Sequence, residues 1–348
     1  MASAWMVLRR TFFRITRFGF KFIFTFFCMV LFAALFLQMV LTLFPYSVCY
    51  MMYLNHVNWP PKSVIDFTNL TIYGLEGENL YIHANDVRIG TWLIKPVKSE
   101  MDVSFATRDP QNMPIILYLH GNAGTRVTYN RVELYRNLQR LGFTVVAFDY
   151  RGYGDSTGQP WSEQDLVADS FAVYQWIKEE YPEKEVFVWG HSLGTGVSTH
   201  LVQYIEKIGI TVDGLILDSP FSSLDDAMRR HPLLYFFHLV PGFTDTVAKA
   251  MREMQVNMNN SATVLTLDVP VLILHAEDDG IVPIELGRKL FAVAQTRKNH
   301  AVQLVTFKAE LRYGHKGIYR DPELPQIVNN FFEICRKHRK PPAQVNVS

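Results

Sequence analysis

Gly190-His191-Ser192-Leu193-Gly194 follows directly on the apolar run Val186-Phe187-Val188-Trp189, and Thr195-Gly196-Val197 then opens a helical stretch. A Gly-x-Ser-x-Gly turn between a buried strand and a helix forces its central residue into a strained backbone. The small residues at Gly190 and Gly194 make that turn sterically possible. The result is a serine hydroxyl raised at the carboxyl edge of a sheet, beside a helix N-terminus that favours developing negative charge. A chance Gly-x-Ser-x-Gly in a surface loop would lack both flanking elements. Ser192 is therefore the candidate nucleophile.

Short apolar runs and helical stretches alternate through most of the chain. Strands are expected at Val87–Ile94, Ile115–Leu119, Thr144–Phe148, Val186–Trp189, Gly214–Leu217, Val271–Leu274 and Val302–Phe307. Several are continuously apolar, as parallel strands covered on both faces must be. Helices are expected at Tyr129–Leu141, Gln164–Glu180, Thr195–Ile208, Leu286–Ala294 and Leu324–His338. This alternation predicts an α/β architecture, a mostly parallel central sheet flanked by helices. The rhythm breaks once, between Leu217 and Val271. Residues 221–265 hold the apolar stretch Pro232–Pro241 and then Met251, Met254 and Met258. Most of these are expected to be core of a helical insertion, which could also serve as a lid with an adaptable apolar lining.

The N-terminus has a different composition. Arg9, Arg10, Arg14, Arg17 and Lys21 precede a stretch from Phe22 to Phe44 with no charged residue, and Pro45 ends it. As a helix this stretch would be roughly 34 Å long, enough to cross a bilayer core of about 30 Å. It is longer than a signal-peptide core and has no polar face for a soluble helix to show to water. The expected organisation is thus a basic cytosolic segment at 1–21, a transmembrane signal anchor at 22–44 and a stalk at 45–62. The main domain follows at 63–340, with a tail at 341–348. Basic residues before the span outnumber Lys62 after it, which predicts a single-pass type II topology with the domain across the membrane. Tyr46, Tyr50, Tyr53 and Trp59 would form an interfacial aromatic belt. Asn69-Leu70-Thr71 and Asn259-Asn260-Ser261 are glycosylation sequons that suit a luminal domain, with Asn69 and Asn259 as acceptors.

Lys and Arg total 34 against 33 Asp and Glu, so nothing in the charge balance suggests nucleic acid as a partner. The bilayer is the partner the composition implies. Three cysteines make no disulfide scaffold, no Cys/His group has metal-ligand spacing, and no phosphate-binding loop opens the domain. No cofactor or metal is expected.

A serine nucleophile needs a base, an acid to orient that base, and donors for an oxyanion. Among the 11 histidines, His315 lies on the loop after the last expected strand, where a general base belongs. For the acid, the turn after Val271–Leu274 offers Asp279, with Asp278 as near rival and Asp218 after the preceding strand as a second. The oxyanion donors are expected from the backbone N–H of Leu193, which follows the nucleophile, and of Asn122 in His120-Gly121-Asn122-Ala123-Gly124. The turn Asp149–Ser156 is expected to be structural.

Taken together, YLHGNAGTR at 118–126, FDYRGYGDS at 148–156, WGHSLGTGV at 189–197, ILHAEDDGIVP at 273–283, LGRKL at 286–290 and GHKGIY at 314–319 resemble the α/β-hydrolase family. With the N-terminal anchor, the likeness is to its membrane-anchored lipases. It implies an α/β-hydrolase fold, a triad of Ser192, Asp279 and His315, and an endoplasmic-reticulum membrane protein with a luminal active site. It also implies a lipid substrate, such as lysophosphatidylserine, another lysophospholipid or monoacylglycerol, cleaved through an acyl-enzyme. The same triad could serve an acyl-protein or acyl-CoA thioesterase. A non-catalytic anchored scaffold is the remaining rival.

Overall fold

The computed structural model describes residues 2–97, 113–231, 240–298 and 301–338. Eight strands form one sheet: β1 (Gly77–Ala84), β2 (Val87–Ile94), β3 (Ile115–Leu119), β4 (Thr144–Phe148), β5 (Val186–His191), β6 (Gly214–Asp218), β7 (Val271–Ala276) and β8 (Val302–Phe307). Their spatial order is β1-β2-β4-β3-β5-β6-β7-β8. From β4 to β8 all neighbours are parallel, while β2 runs antiparallel to both β1 and β4.

Ten helices accompany them among the described residues: α1 (Ala2–Leu43), α2 (Ser47–Met52), α3 (Tyr129–Arg140), α4 (Glu163–Glu180), α5 (Leu193–Lys207), α6 (Leu224–Arg230), α7 (Phe243–Glu253), α8 (Asn260–Val264), α9 (Ile284–Ala294) and α10 (Leu324–His338). Alternation along each strand divides the core between two faces. Val186 and Val188 of β5 join the layer that includes residues of α4, α5 and α9. Phe187 and Trp189 join the opposite layer with α3 and α10, where the Phe187 and Phe332 rings lie 4.0 Å apart.

Strand β1 went unseen in the sequence. It is an edge strand carrying Glu78, Asn79 and His83, largely solvent-facing, so it has no buried apolar run to betray it. A two-residue turn at Asn85-Asp86, with Asn85 at φ 51°, pairs it in register with β2 from Gly77↔Ile94 to Ala84↔Val87.

Within α1, Gly19–Leu43 is long and apolar enough to cross a membrane, with a mean hydropathy of 2.5. Phe22 and Phe32 are 69% and 72% exposed, as lipid-facing residues would be. The end of this helix is not free. Ala34 and Leu41 are buried, and Gln38 Nε2 donates to Thr246 Oγ1 of α7 at 3.2 Å. The segment 45–62, expected to be a stalk, is instead seated in the domain: Val48, Cys49, Tyr53 and Asn55 are buried. Local composition could not reveal this, because the partners lie far along the chain.

Between β6 and β7, the insertion supplies α6, α7 and α8. Leu224, Met228, Val247, Met251, Met258 and Val264 are buried in the main core, so its described part is an integral layer. Residues 232–239, most of the apolar stretch at Pro232–Pro241, lie outside the described residues, as does the tail 341–348.

Candidate active site

Strand order brings the chemistry to one point. The chain runs from β3 to β4 on one side and returns to β5 on the other, so the loops after β3 and β5 meet at a topological switch point, where open α/β sheets bind ligands. Leu119 pairs with Gly190, and the residues that follow, His120–Asn122 and Ser192, become neighbours.

Ser192 has φ 53° and ψ −117°, the strained backbone that the turn demanded. A Cβ at Gly190 would overlap the Gly194 carbonyl oxygen, and one at Gly194 would overlap that of Leu119, so the turn closes only with glycine at both places. Leu193 is the first residue of α5, and its N–H is among the four that no helical carbonyl can accept. A Cβ on Gly121 would lie 3.1 Å from Ser192 Cβ, so the loop carrying Asn122 passes directly over the serine.

His315 stands on the loop after β8. Its Nε2 is 2.8 Å from Ser192 Oγ, and its Nδ1 is 2.8 Å from Asp279 Oδ2. The other Asp279 oxygen, Oδ1, accepts from Ile281 N and Val282 N, each at 2.9 Å. This turn fixes the carboxylate and leaves Oδ2, which His275 Nε2 also approaches at 3.5 Å, to accept from His315. Burial opposes ionisation of Asp279, but the nearby His275 and His315 rings and the Val282 N–H outweigh it and hold the carboxyl well below its usual range. An ionised Oδ2 only accepts, so Nδ1 carries the imidazole proton and Nε2 is left to take one from Ser192.

The rival acids have other tasks. Asp278 Oδ1 accepts from Gly314 N at 3.0 Å, and so anchors the loop that presents His315. Asp218 ends β6, and its carbonyl oxygen accepts from Ser192 N at 2.9 Å. Burial, with the negative charge of Asp279, pushes the Asp218 carboxyl up to about 8, so it stays protonated near neutrality.

Three further participants were not evident from sequence. His191 Nε2 is 2.9 Å from the carbonyl oxygen of His315. A carbonyl can only accept, so the ring donates there. Burial and the neighbouring His315 push its pKa down to about 3 and keep it neutral. Arg126 is buried and pairs with Asp149 at 2.6 Å and Asp155 at 2.7 Å, tying the Asn122 loop to the turn after β4. The Asn122 side chain binds the segment after α1: Oδ1 accepts from Leu54 N at 2.9 Å, and Nδ2 donates to Met52 O at 2.5 Å. All three lie in the strings quoted above, but the string does not announce the contact each one makes.

His231 closes α6 at the margin of the site. Burial and the charge of His315 both lower its pKa. Among the described residues, no group of three His, Cys, Asp or Glu is placed to hold a metal ion. Asn69 is exposed, whereas half-buried Asn259 caps α8 by accepting from Ala262 N at 3.1 Å.

Residues 110–266 match the family described as serine aminopeptidase, S33. The lysophosphatidylserine lipase ABHD12 of Danio rerio is 40% identical over 270 residues, covering 75% of this chain and 70% of that protein. Its counterpart in Gallus gallus is 41% identical over 266 residues, covering 74% and 70%. The Homo sapiens protein ABHD12B is 40% identical over 220 residues, covering 63% and 60%. Among solved structures, the Pyrococcus furiosus esterase Pf2001 shares the fold at 22% identity with a TM-score of 0.58, covering 78% of this chain and 95% of that one. The chain therefore belongs to the ABHD12 family of α/β-hydrolases and is an enzyme of the esterase and lipase type.

Proposed function

We propose that this protein is a membrane-anchored serine hydrolase that cleaves the acyl ester of single-chain lipids, with lysophosphatidylserine, other lysophospholipids and monoacylglycerol as the substrate class. The observation that carries the reading is the unbroken chain Ser192 Oγ, His315, Asp279, with both links at 2.8 Å. His315 Nε2 takes the Ser192 proton as Oγ attacks the ester carbonyl carbon. Negative charge then collects on the carbonyl oxygen, where the Leu193 and Asn122 N–H groups donate. His315 returns its proton to the departing glycerol oxygen, which releases the deacylated lipid alcohol. Water, deprotonated by the same ring, then attacks the acyl-enzyme, and the ring returns that proton to Ser192 Oγ as the fatty acid leaves. Asp279 holds the ring with Nδ1 protonated and stabilises the imidazolium.

The lipid substrate is supported by the apolar helix at Gly19–Leu43 and by the lysophosphatidylserine lipases that are 40% identical to this chain. The basic residues before the span favour a type II orientation with the domain across the membrane, and the family likeness favours the endoplasmic reticulum as the compartment. Fluorophosphonate labelling and lysophospholipid hydrolysis by the full chain test the reading, and both should vanish in Ser192→Ala. Each buried acyl methylene contributes about 0.8 kcal/mol, so turnover should rise with chain length. Retained labelling in Ser192→Ala, or a preference for acyl-CoA thioesters over oxygen esters, overturns it.

A further inference from the structure

The residues that join the membrane helix to the domain do more than connect them. Beyond the two Asn122 contacts with Met52 and Leu54, the Gly124 N–H donates to the Val57 carbonyl at 2.9 Å. The Asn122 amide is itself steadied by Tyr153, whose hydroxyl donates to Oδ1 at 2.8 Å. The same segment is locked down independently of that loop. Asn55 Nδ2 donates to Gln159 Oε1 at 2.9 Å, and the Cys49 thiol lies 3.0 Å from the Trp161 carbonyl oxygen. Tyr53 is wholly buried. Arg131 Nη2 holds the carbonyl side of the loop Gly121 to Gly124, donating to the Gly121 and Ala123 oxygens at 2.8 Å, while the Gly124 N–H and the Asn122 side chain are held by Met52, Leu54 and Val57.

We propose that Cys49–Val57 is a positioning part of the active site, a strap that fixes the backbone of the oxyanion loop and joins it to the end of the membrane helix. This rests on the reading above in which the Asn122 N–H is an oxyanion donor. The strap residues touch no substrate. They act by setting where Asn122 N–H points, and an error of about 1 Å in such a donor can cost on the order of 100-fold in rate. The polar side chain of Asn122 is thereby explained, since a bare N–H donor needs no amide beyond it.

The test uses the full chain in detergent micelles, with Asn55→Ala, Tyr153→Phe, Asn122→Ala and the double variant Asn55→Ala/Asn122→Ala. Asn55→Ala and Tyr153→Phe should each lower kcat by roughly 10- to 100-fold with KM little changed, as expected when a transition-state donor is displaced. Amide exchange should quicken at Ala123 and Gly124 while α5 stays protected. The double variant should be no slower than Asn122→Ala alone, because both changes break one linkage. A merely structural role would instead give additive losses and lowered melting temperatures. Wild-type kcat in both Asn55→Ala and Tyr153→Phe, with Ser192→Ala inactive, overturns the strap and leaves the hydrolase reading standing. Activity in Ser192→Ala overturns that reading instead. Should Asn55→Ala fail to fold, Cys49→Ala decides in its place, since it removes a single thiol and frees the strap from the Trp161 carbonyl.

Discussion

The ring of His191 donates its Nε2–H to the backbone carbonyl of His315, 2.9 Å away, so the residue before the nucleophile holds the main chain of the base. The bond ties the turn after β5 to the loop after β8 and does not involve the ring of His315.

His191 makes acid stability measurable at one site. Its pKa is lowered to about 3 by burial and by His315, against an ordinary value of 6.5. Between those values the unfolded chain binds the proton and the folded chain does not, so stability rises with pH there and is lost as pH falls. His191→Gln removes this titration. Its melting-temperature deficit relative to the parent should be largest near neutrality and shrink towards pH 4; a constant deficit would show that His191 does not titrate as described.

Asp279→Asn should leave the fold intact and cut turnover by roughly 10⁴-fold, because the amide can present a donor to Nδ1 and favour the wrong imidazole tautomer. Steady-state kinetics on a lysophospholipid decide it. If Asp278→Asn is equally crippling, the acid is misassigned. A modest loss is expected there instead, from the slackened Gly314 loop.

Asp218 predicts the opposite pH dependence from His191. Its carboxyl is raised from 3.8 to about 8, so the folded state holds the proton that the unfolded state has released. That contribution is complete below 3.8 and is lost as pH rises through 8. Asp218→Asn should therefore melt higher than the parent at alkaline pH while keeping its activity at pH 7. Inactivation of the folded variant would make Asp218 a participant in the chemistry.

Asn69 is exposed, and its side chain already turns back on Thr71 of its own sequon, with Oδ1 accepting from Thr71 Oγ1 at 2.6 Å. With the domain in the lumen it should carry a glycan, seen as an endoglycosidase-sensitive band shift that Asn69→Gln abolishes. Asn259, spent on capping α8, should be modified less. Digestion of the domain by protease added to intact microsomes would reverse the orientation.

What could be read in the sequence was what is local. The runs of β3, β5, β6 and β7 are buried on both faces, so their apolarity announces them, and the serine turn names itself by its two glycines. Asp279 and Asp278 share one turn and one chemistry; what separates them is that Asp279 meets the His315 ring while Asp278 takes the Gly314 N–H, and that is a matter of backbone direction. The packing of Tyr53 and Asn55 was beyond reach for another reason. The partners of Asn55, Gly152 and Gln159, stand about a hundred residues later and fit no pattern. Strand β1 was hidden because an edge needs no apolar run.

The bond between Gln38 and Thr246 has a kinetic consequence. With Ala34 and Leu41 buried beside it, a catalytic domain packed on the side of such a helix would stay at the bilayer surface and not range through the aqueous phase. It would meet its substrate by lateral diffusion within one leaflet, so the variable that governs its rate would be the mole fraction of substrate in that leaflet. Diluting the surface with inert lipid would slow such an enzyme, while diluting the suspension with water would not.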